Sequence, residues 1–155
     1  MTAKGLAATL CLLLCVSIGC GRTEIREGGL IMYSSPDKYN VRVIAVDRDI
    51  RNPEYDRRCY YRLVFDKVHE LRTTSGLESQ EKTCEIKLSP NRHLLVIEKW
   101  VLDELEGKYI KLNNVEQPHP SYFYFDLPEN RILVITITCD RTGKAQYFTD
   151  FERIR

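Results

Sequence analysis

The sequence predicts an all-β chain, an antiparallel β-sandwich of about seven or eight strands, and three observations carry that reading. Apolar and polar residues alternate in short runs such as "YNVRVIAVD" and "ILVITITCD", the period of a strand with one buried face. Clusters of turn formers, "SSPDK", "SPNR", "PENR" and "DRTGK", separate these runs, as expected where the chain reverses. No segment after the first 20 residues sustains a helical period, and no internal repeat suggests a propeller or solenoid.

The elements follow in order. In "YNVRVIAVD" Tyr39, Val41, Val43 and Ala45 share a face that is assigned to the core, since alternate residues of a strand point the same way. After the mixed-charge loop "DRDIRNPEYDRR", the run "CYYRLVFDKV" places Cys59, Tyr61, Leu63 and Phe65 on one side. The segment "HELRTTSGLESQEK" reads as a polar connection to "TCEIKL", where Cys84, Ile86 and Leu88 align. "HLLVIEKWVLDEL" is the longest apolar run after the first 20 residues. Leu94, Val96, Trp100 and Leu102 keep strand alternation there, while the tail "WVLDELEG" is compatible with a helical turn. "KYIKLNN" is a short strand. "YFYFDL" and "ILVITITCD", joined by "PENR", read as a hairpin, and "AQYFTDFERI" closes the chain.

One stretch carries a family resemblance. "CEIKLSPNRHLLVIEK" runs strand, turn, strand, with Leu88, Pro90, His93, Leu95 and Ile97 at characteristic places. It resembles PEGA-type and carboxypeptidase-regulatory-like β-sandwich domains, with Asn91 where glycine is usual. Asn tolerates the left-handed conformation such a turn would ask for. The resemblance covers about one tenth of the chain. It implies a sandwich fold and a non-catalytic binding or spacer role in envelope and surface proteins.

The amino terminus bears on location. Lys4 precedes an apolar run, Leu6 to Val16, that ends in small residues before Cys20. That run falls short of the roughly 20 apolar residues a membrane span needs and fits a secretory signal. The expected organisation is a signal peptide over 1–19, a polar tether over 20–29 and a single domain over 30–155. "Ser17-Ile18-Gly19-Cys20" resembles the lipobox of bacterial lipoproteins, with Ser17 where an aliphatic residue is usual. The resemblance implies a diacylglyceryl group on Cys20 and cleavage before it. Each buried methylene of such a chain contributes about 0.8 kcal/mol of membrane affinity. Ser17 and Gly19 equally suit an ordinary signal peptidase, in which case Cys20 stays a thiol. Cys59, Cys84 and Cys139 are candidates for a disulfide in either case, one of them left over if Cys20 is acylated and Cys20 joining them if it is free, with the core as the alternative place for each.

Beyond residue 19 the charges balance, 22 basic against 22 acidic, because Lys4 is the one charged residue removed. That balance argues against nucleic acid as a partner, since phosphate binding needs concentrated positive charge. The three histidines lie far apart, and no C-x-x-C, H-E-x-x-H, G-x-S-x-G or phosphate-loop pattern occurs. No metal, cofactor or catalytic residue is therefore expected. Asp47, Asp49, Glu54 and Asp56 lack EF-hand spacing, and with Arg48 and Arg51 between them they read as a solvated ion-pair loop. His93 is expected to pack at a strand start. In "SYFYFDL", with Phe123, Phe125 and Leu127 inward, Tyr122 and Tyr124 point out as a possible binding surface. The expected function is a lipid-anchored bacterial envelope protein, held to the membrane through Cys20. Its small sandwich acts as a non-catalytic binding or structural module toward other envelope proteins or cell-wall components. The alternative is a secreted, unanchored, disulfide-containing sandwich that binds a soluble ligand.

Overall fold

The computed structural model describes residues 39–153; the expected signal peptide and tether, with Cys20, lie outside the described residues. Among the described residues ten strands form two packed sheets. They are β1 (Val41–Asp47), β2 (Arg58–Phe65), β3 (His69–Arg72), β4 (Gly76–Leu77), β5 (Lys82–Ile86), β6 (Arg92–Asp103), β7 (Lys108–Lys111), β8 (Tyr122–Asp126), β9 (Arg131–Cys139) and β10 (Ala145–Arg153). One sheet has the order β10-β9-β1-β5. The other runs β3-β2-β6-β7, with β4 also pairing β2 and β8 also pairing β6. The sandwich is largely antiparallel, and β1 and β9 run parallel.

Alternation dictates the core. Val41, Val43 and Ala45 of β1 meet Cys59, Tyr61, Leu63 and Phe65 of β2 and Leu133, Ile135 and Ile137 of β9 in one apolar cluster. These are the faces the sequence marks for burial, apart from β9, which is covered from both sides over much of its length. Two-sided burial suits a central strand, and β9 lies between β1 and β10.

That position corrects the expected hairpin. β8 pairs with β6 in one sheet and β9 with β1 and β10 in the other, so Pro128–Asn130 crosses between sheets. Asn130 turns the corner at a φ of 57°, a conformation Asn tolerates better than most residues. Asn91 has no such φ. Its side-chain oxygen accepts the Arg92 N–H at 3.0 Å, and its carbonyl accepts the Leu127 N–H at 2.8 Å.

Two strands arise where a polar connection was expected. β3 and β4 both flank β2; β3 has one buried apolar residue, Leu71, among His69, Glu70 and Arg72, and β4 is only Gly76 and Leu77, so little alternation marks either. On β6 the tail stays extended to Asp103 before a turn closed by the Gly107 N–H on the Asp103 carbonyl. Its core face is Leu95, Ile97, Lys99 and Val101, while Leu94, Val96, Trp100 and Leu102 lie half-buried on the outer side.

The β2–β3 turn holds Asp66 and Lys67 at φ of 51° and 61°, with the Val68 N–H on the Phe65 carbonyl. Two successive left-handed residues match the twist of a hairpin but strain a side chain. Asp66 offsets this by accepting the Leu94 N–H and His93, whereas exposed Lys67 has no such role. Lys67→Gly is expected to stabilise the fold by about 0.5–1 kcal/mol, read as a higher urea midpoint at unchanged slope.

Candidate functional site

At one end of the sandwich the ends of β1 and β6, the Asn52–Arg57 loop, the β4–β5 turn and the β9–β10 turn surround a cleft of about 350 Å³. Its floor is charged. Lys99 projects inward from β6, and its ammonium lies 2.7 Å from Asp47 Oδ1 and 2.7 Å from Glu78 Oε1. Arg57 extends the chain of charge outward, 3.0 Å from Glu78 and 3.2 Å from Glu116. The Tyr61 hydroxyl donates to the Asp47 carboxylate, 3.0 Å from either oxygen.

Beneath this network Lys82 is fully buried. It donates to the carbonyls of Leu77, Glu78 and Gln80 at 2.8, 2.9 and 2.6 Å, which uses all three of its protons. The β4–β5 turn is thus wrapped around a lysine head, and Glu78 is carried to Lys99 by that wrapping. The backbone fixes it there: the Asp47 N–H donates to the Glu78 carbonyl at 2.9 Å.

The titration behaviour follows from two carboxylates sharing one ammonium. Burial pushes Asp47 above the usual carboxylate range, against the pull of Lys99 and Lys82, with the Glu78 charge adding to the push. Burial acts the same way on Glu78, but Lys99 and Arg57 outweigh it and hold Glu78 low. For Lys99, burial would favour the neutral amine, and the two carboxylates overcome it to keep an ammonium. Held in that form, Lys99 is a fixed cation with no lone pair to act as base or nucleophile. The floor's charges compensate one another, and the outer wall adds Tyr55, with the Arg141 guanidinium 5.3 Å from its ring centroid.

The carboxylates of "DRDIRNPEYD" therefore do not form one solvated loop. Asp47 is buried in the ion network and Asp56 accepts from the backbone and hydroxyl of Ser79. Glu54 lies on the cleft wall and Asp49 at a left-handed bend. No group of three or more His, Cys, Asp or Glu side chains among the described residues is placed to hold a metal ion. Neither Lys99 nor Glu78 was marked by sequence; a lysine on the core parity of "LVIEKWVL" was the signal available.

The other expected residues fall as follows. His93 is buried at the start of β6, its Nδ1 2.6 Å from Asp66 and its Nε2 2.8 Å from the Ser89 carbonyl oxygen, with its ring tilted against Phe125. Cys59, Cys84 and Cys139 are buried free thiols in the core, and no disulfide joins any two of them. Burial pushes Cys59 and Cys84 up to about 12 and Cys139 up to about 11, which leaves them inert near neutral pH.

Tyr122 and Tyr124 project from the outer face of β8, 55% and 52% exposed. Their rings meet edge to face at 6.1 Å, and the Arg92 guanidinium lies 5.3 Å from the Tyr124 ring centroid. On the neighbouring strand Val96 and Leu94 stand opposite them, and Val64 of β2 is opposite Val96. Together they make an aromatic shelf backed by an aliphatic stripe. The inner side of β8 carries Phe125 and Leu127 into the core. No protein-family model matches this chain, and no curated protein or solved structure matches it.

Proposed function

We propose that this is an exported envelope protein of a bacterium, anchored through lipid on Cys20. Its sandwich serves as a non-catalytic binding or structural module for other envelope proteins or cell-wall components. The observation that favours a binding role is the shelf of Tyr122 and Tyr124, two large rings left half in solvent on a strand whose other face packs on the core through buried Phe125 and half-buried Phe123. Tyrosine joins an apolar ring to a polar tip and loses little side-chain entropy on contact. Arg92 beside it supplies a hydrogen-bond fork, and Leu94 and Val96 supply apolar depth. The core placement of Cys59, Cys84 and Cys139 favours this reading over a secreted, disulfide-containing sandwich.

Two measurements test it. The protein recovered from native membranes is expected to carry acyl mass that Cys20→Ser abolishes; an unacylated wild-type chain refutes the anchor. Tyr122→Ser together with Tyr124→Ser is expected to lower recovery of envelope partners from those membranes by about tenfold, a loss of roughly 1.4 kcal/mol, without shifting the thermal midpoint. Undiminished recovery removes the shelf from the binding role.

A further inference from the structure

The free edge of β10 points to a second site of association. β10 pairs with β9 over nine residues in unbroken register. Two bonds give its phase: the Asp140 N–H donates to the Lys144 carbonyl across the hairpin, and the Ala145 N–H turns away from β9 to the His119 carbonyl. In an antiparallel ladder the phase alternates, so Tyr147, Thr149 and Phe151 aim their N–H and C=O groups away from the sheet. No strand of the described residues pairs with that side.

Such an edge templates another strand unless it is guarded by a proline, charged side chains (lysine above all), a bulge or a covering loop. β10 has no proline, lysine or bulge, and its charges are confined to its second half, at Asp150, Glu152 and Arg153. At its start the His119 backbone and the Phe123 ring, stacked on Tyr147 at 5.0 Å, close the edge. From Phe148 to Glu152 every residue is exposed, including the rings of Phe148 at 51% and Phe151 at 43%. The opposite edge of the same sheet is guarded. On β5 the Thr83 carbonyl accepts the Thr74 N–H and the Thr83 N–H donates to the Thr74 hydroxyl.

We propose that β10 pairs antiparallel with β10 of a second copy, about a two-fold axis through Thr149. Charge and obstruction select that register. An axis through Phe151 sets Asp150 opposite Glu152 of the other copy, a like-charge pair that destabilises a ladder. An axis through Tyr147 sets Thr149 opposite Ala145, whose N–H is already engaged by His119. An axis through Thr149 pairs Tyr147 with Phe151 and Phe148 with Asp150 and brings the two Phe148 rings into diagonal contact; the two Asp150 side chains meet only on the other diagonal, and no like charges stand directly opposite. The ladder ends at the Tyr147 and Phe151 pairs, so Ala145 keeps its bond to His119. The outward groups of Thr149 then bond to each other across the axis, and the two four-stranded sheets become one continuous sheet. A two-fold interface of this kind is self-complementary and closed, so it yields a dimer and not a fibre.

Sedimentation of the full chain in mild detergent tests the pairing. Wild type is expected to sediment as a dimer. Thr149→Pro, which removes an outward N–H and leaves the bonds to β9 intact, is expected to weaken dimerisation by about tenfold or more. A wild type that stays monomeric, or a dimer indifferent to Thr149→Pro, overturns the proposal. Cross-linking guards against misfolding of the proline variant. In a Cys20→Ser background, Thr149→Cys is expected to form a disulfide-linked dimer on oxidation, since residues opposite across a bonded pair lie about 5.5 Å apart. Asp150→Cys, displaced from the axis, is expected to form far less. Equal cross-linking of the two, or none by Thr149→Cys, overturns the register.

Discussion

Lys99→Met is expected to destabilise the fold by about 3–5 kcal/mol, the range for removing one partner of a buried ion pair. The size comes from what is left behind. Without the ammonium, Asp47 and Glu78 lie buried with two negative charges facing each other; Asp47 keeps the Tyr61 hydroxyl and Glu78 keeps Arg57. Asp47 already titrates high with Lys99 beside it, so in the variant it rises further. A carboxyl whose folded-state pKa lies above its unfolded value costs stability once ionised and restores it on protonation. The deficit of Lys99→Met is therefore expected to be greatest near neutral pH and to shrink as the pH falls and Asp47 takes up a proton. Urea titrations of the two proteins across that range check it, and a deficit that does not change with pH would show that lost packing, not charge, is responsible. Asp47→Asn in the Lys99→Met background is expected to recover more than 1 kcal/mol of the loss, the coupling anticipated between groups in one network.

Gly143→Ala is expected to cost about 2–5 kcal/mol, combining left-handed strain with overpacking against backbone. Gly143 has a φ of 78° in the β9–β10 turn. A Cβ there would lie 2.7 Å from the Val115 carbonyl oxygen and closer still to that of Gln117. These are main-chain atoms of a docked segment, and they have no rotamer to change. The Gln117 side chain accepts the Lys99 N–H at 2.8 Å and donates to the Lys99 and Leu112 carbonyls at 2.9 and 3.0 Å. Displacing Gln117 therefore disturbs the backbone that aims Lys99. Gly107→Ala is the control, with a φ of 66° and open space around its Cα, and is expected to cost only the strain, about 1–2 kcal/mol. Thermal midpoints of the two variants separate the contributions, and equal losses would refute the clash.

Much of the fold was legible because its cause is local. In β1, β2 and β5 the core faces follow from alternate residues, and a strand cannot bury one face without that period. The Tyr122 and Tyr124 shelf was legible for the same reason, since Phe125 and Leu127 fix the inward parity of β8 and the tyrosines must take the other. β6 lacked this clarity. "LLVIEKWVL" is apolar on both parities, so its pattern marks a strand and leaves open which side faces in. β3 and β4 went unseen because an edge strand with little buried area needs little apolar sequence.

The sequence by itself determined that the domain is a sandwich of short strands and which residues of most strands lie inside, because side-chain direction alternates along any extended chain. Tertiary structure alone decided the partners: β9 beside β1 and β10 instead of β8, and Lys99 turned inward. A lysine on the core parity is stable only if carboxylates reach it. One comes from Asp47, 52 residues earlier in the chain, and the other from Glu78, presented by a turn built around Lys82. Such compensation depends on which distant segments the fold brings together, and no local pattern records it.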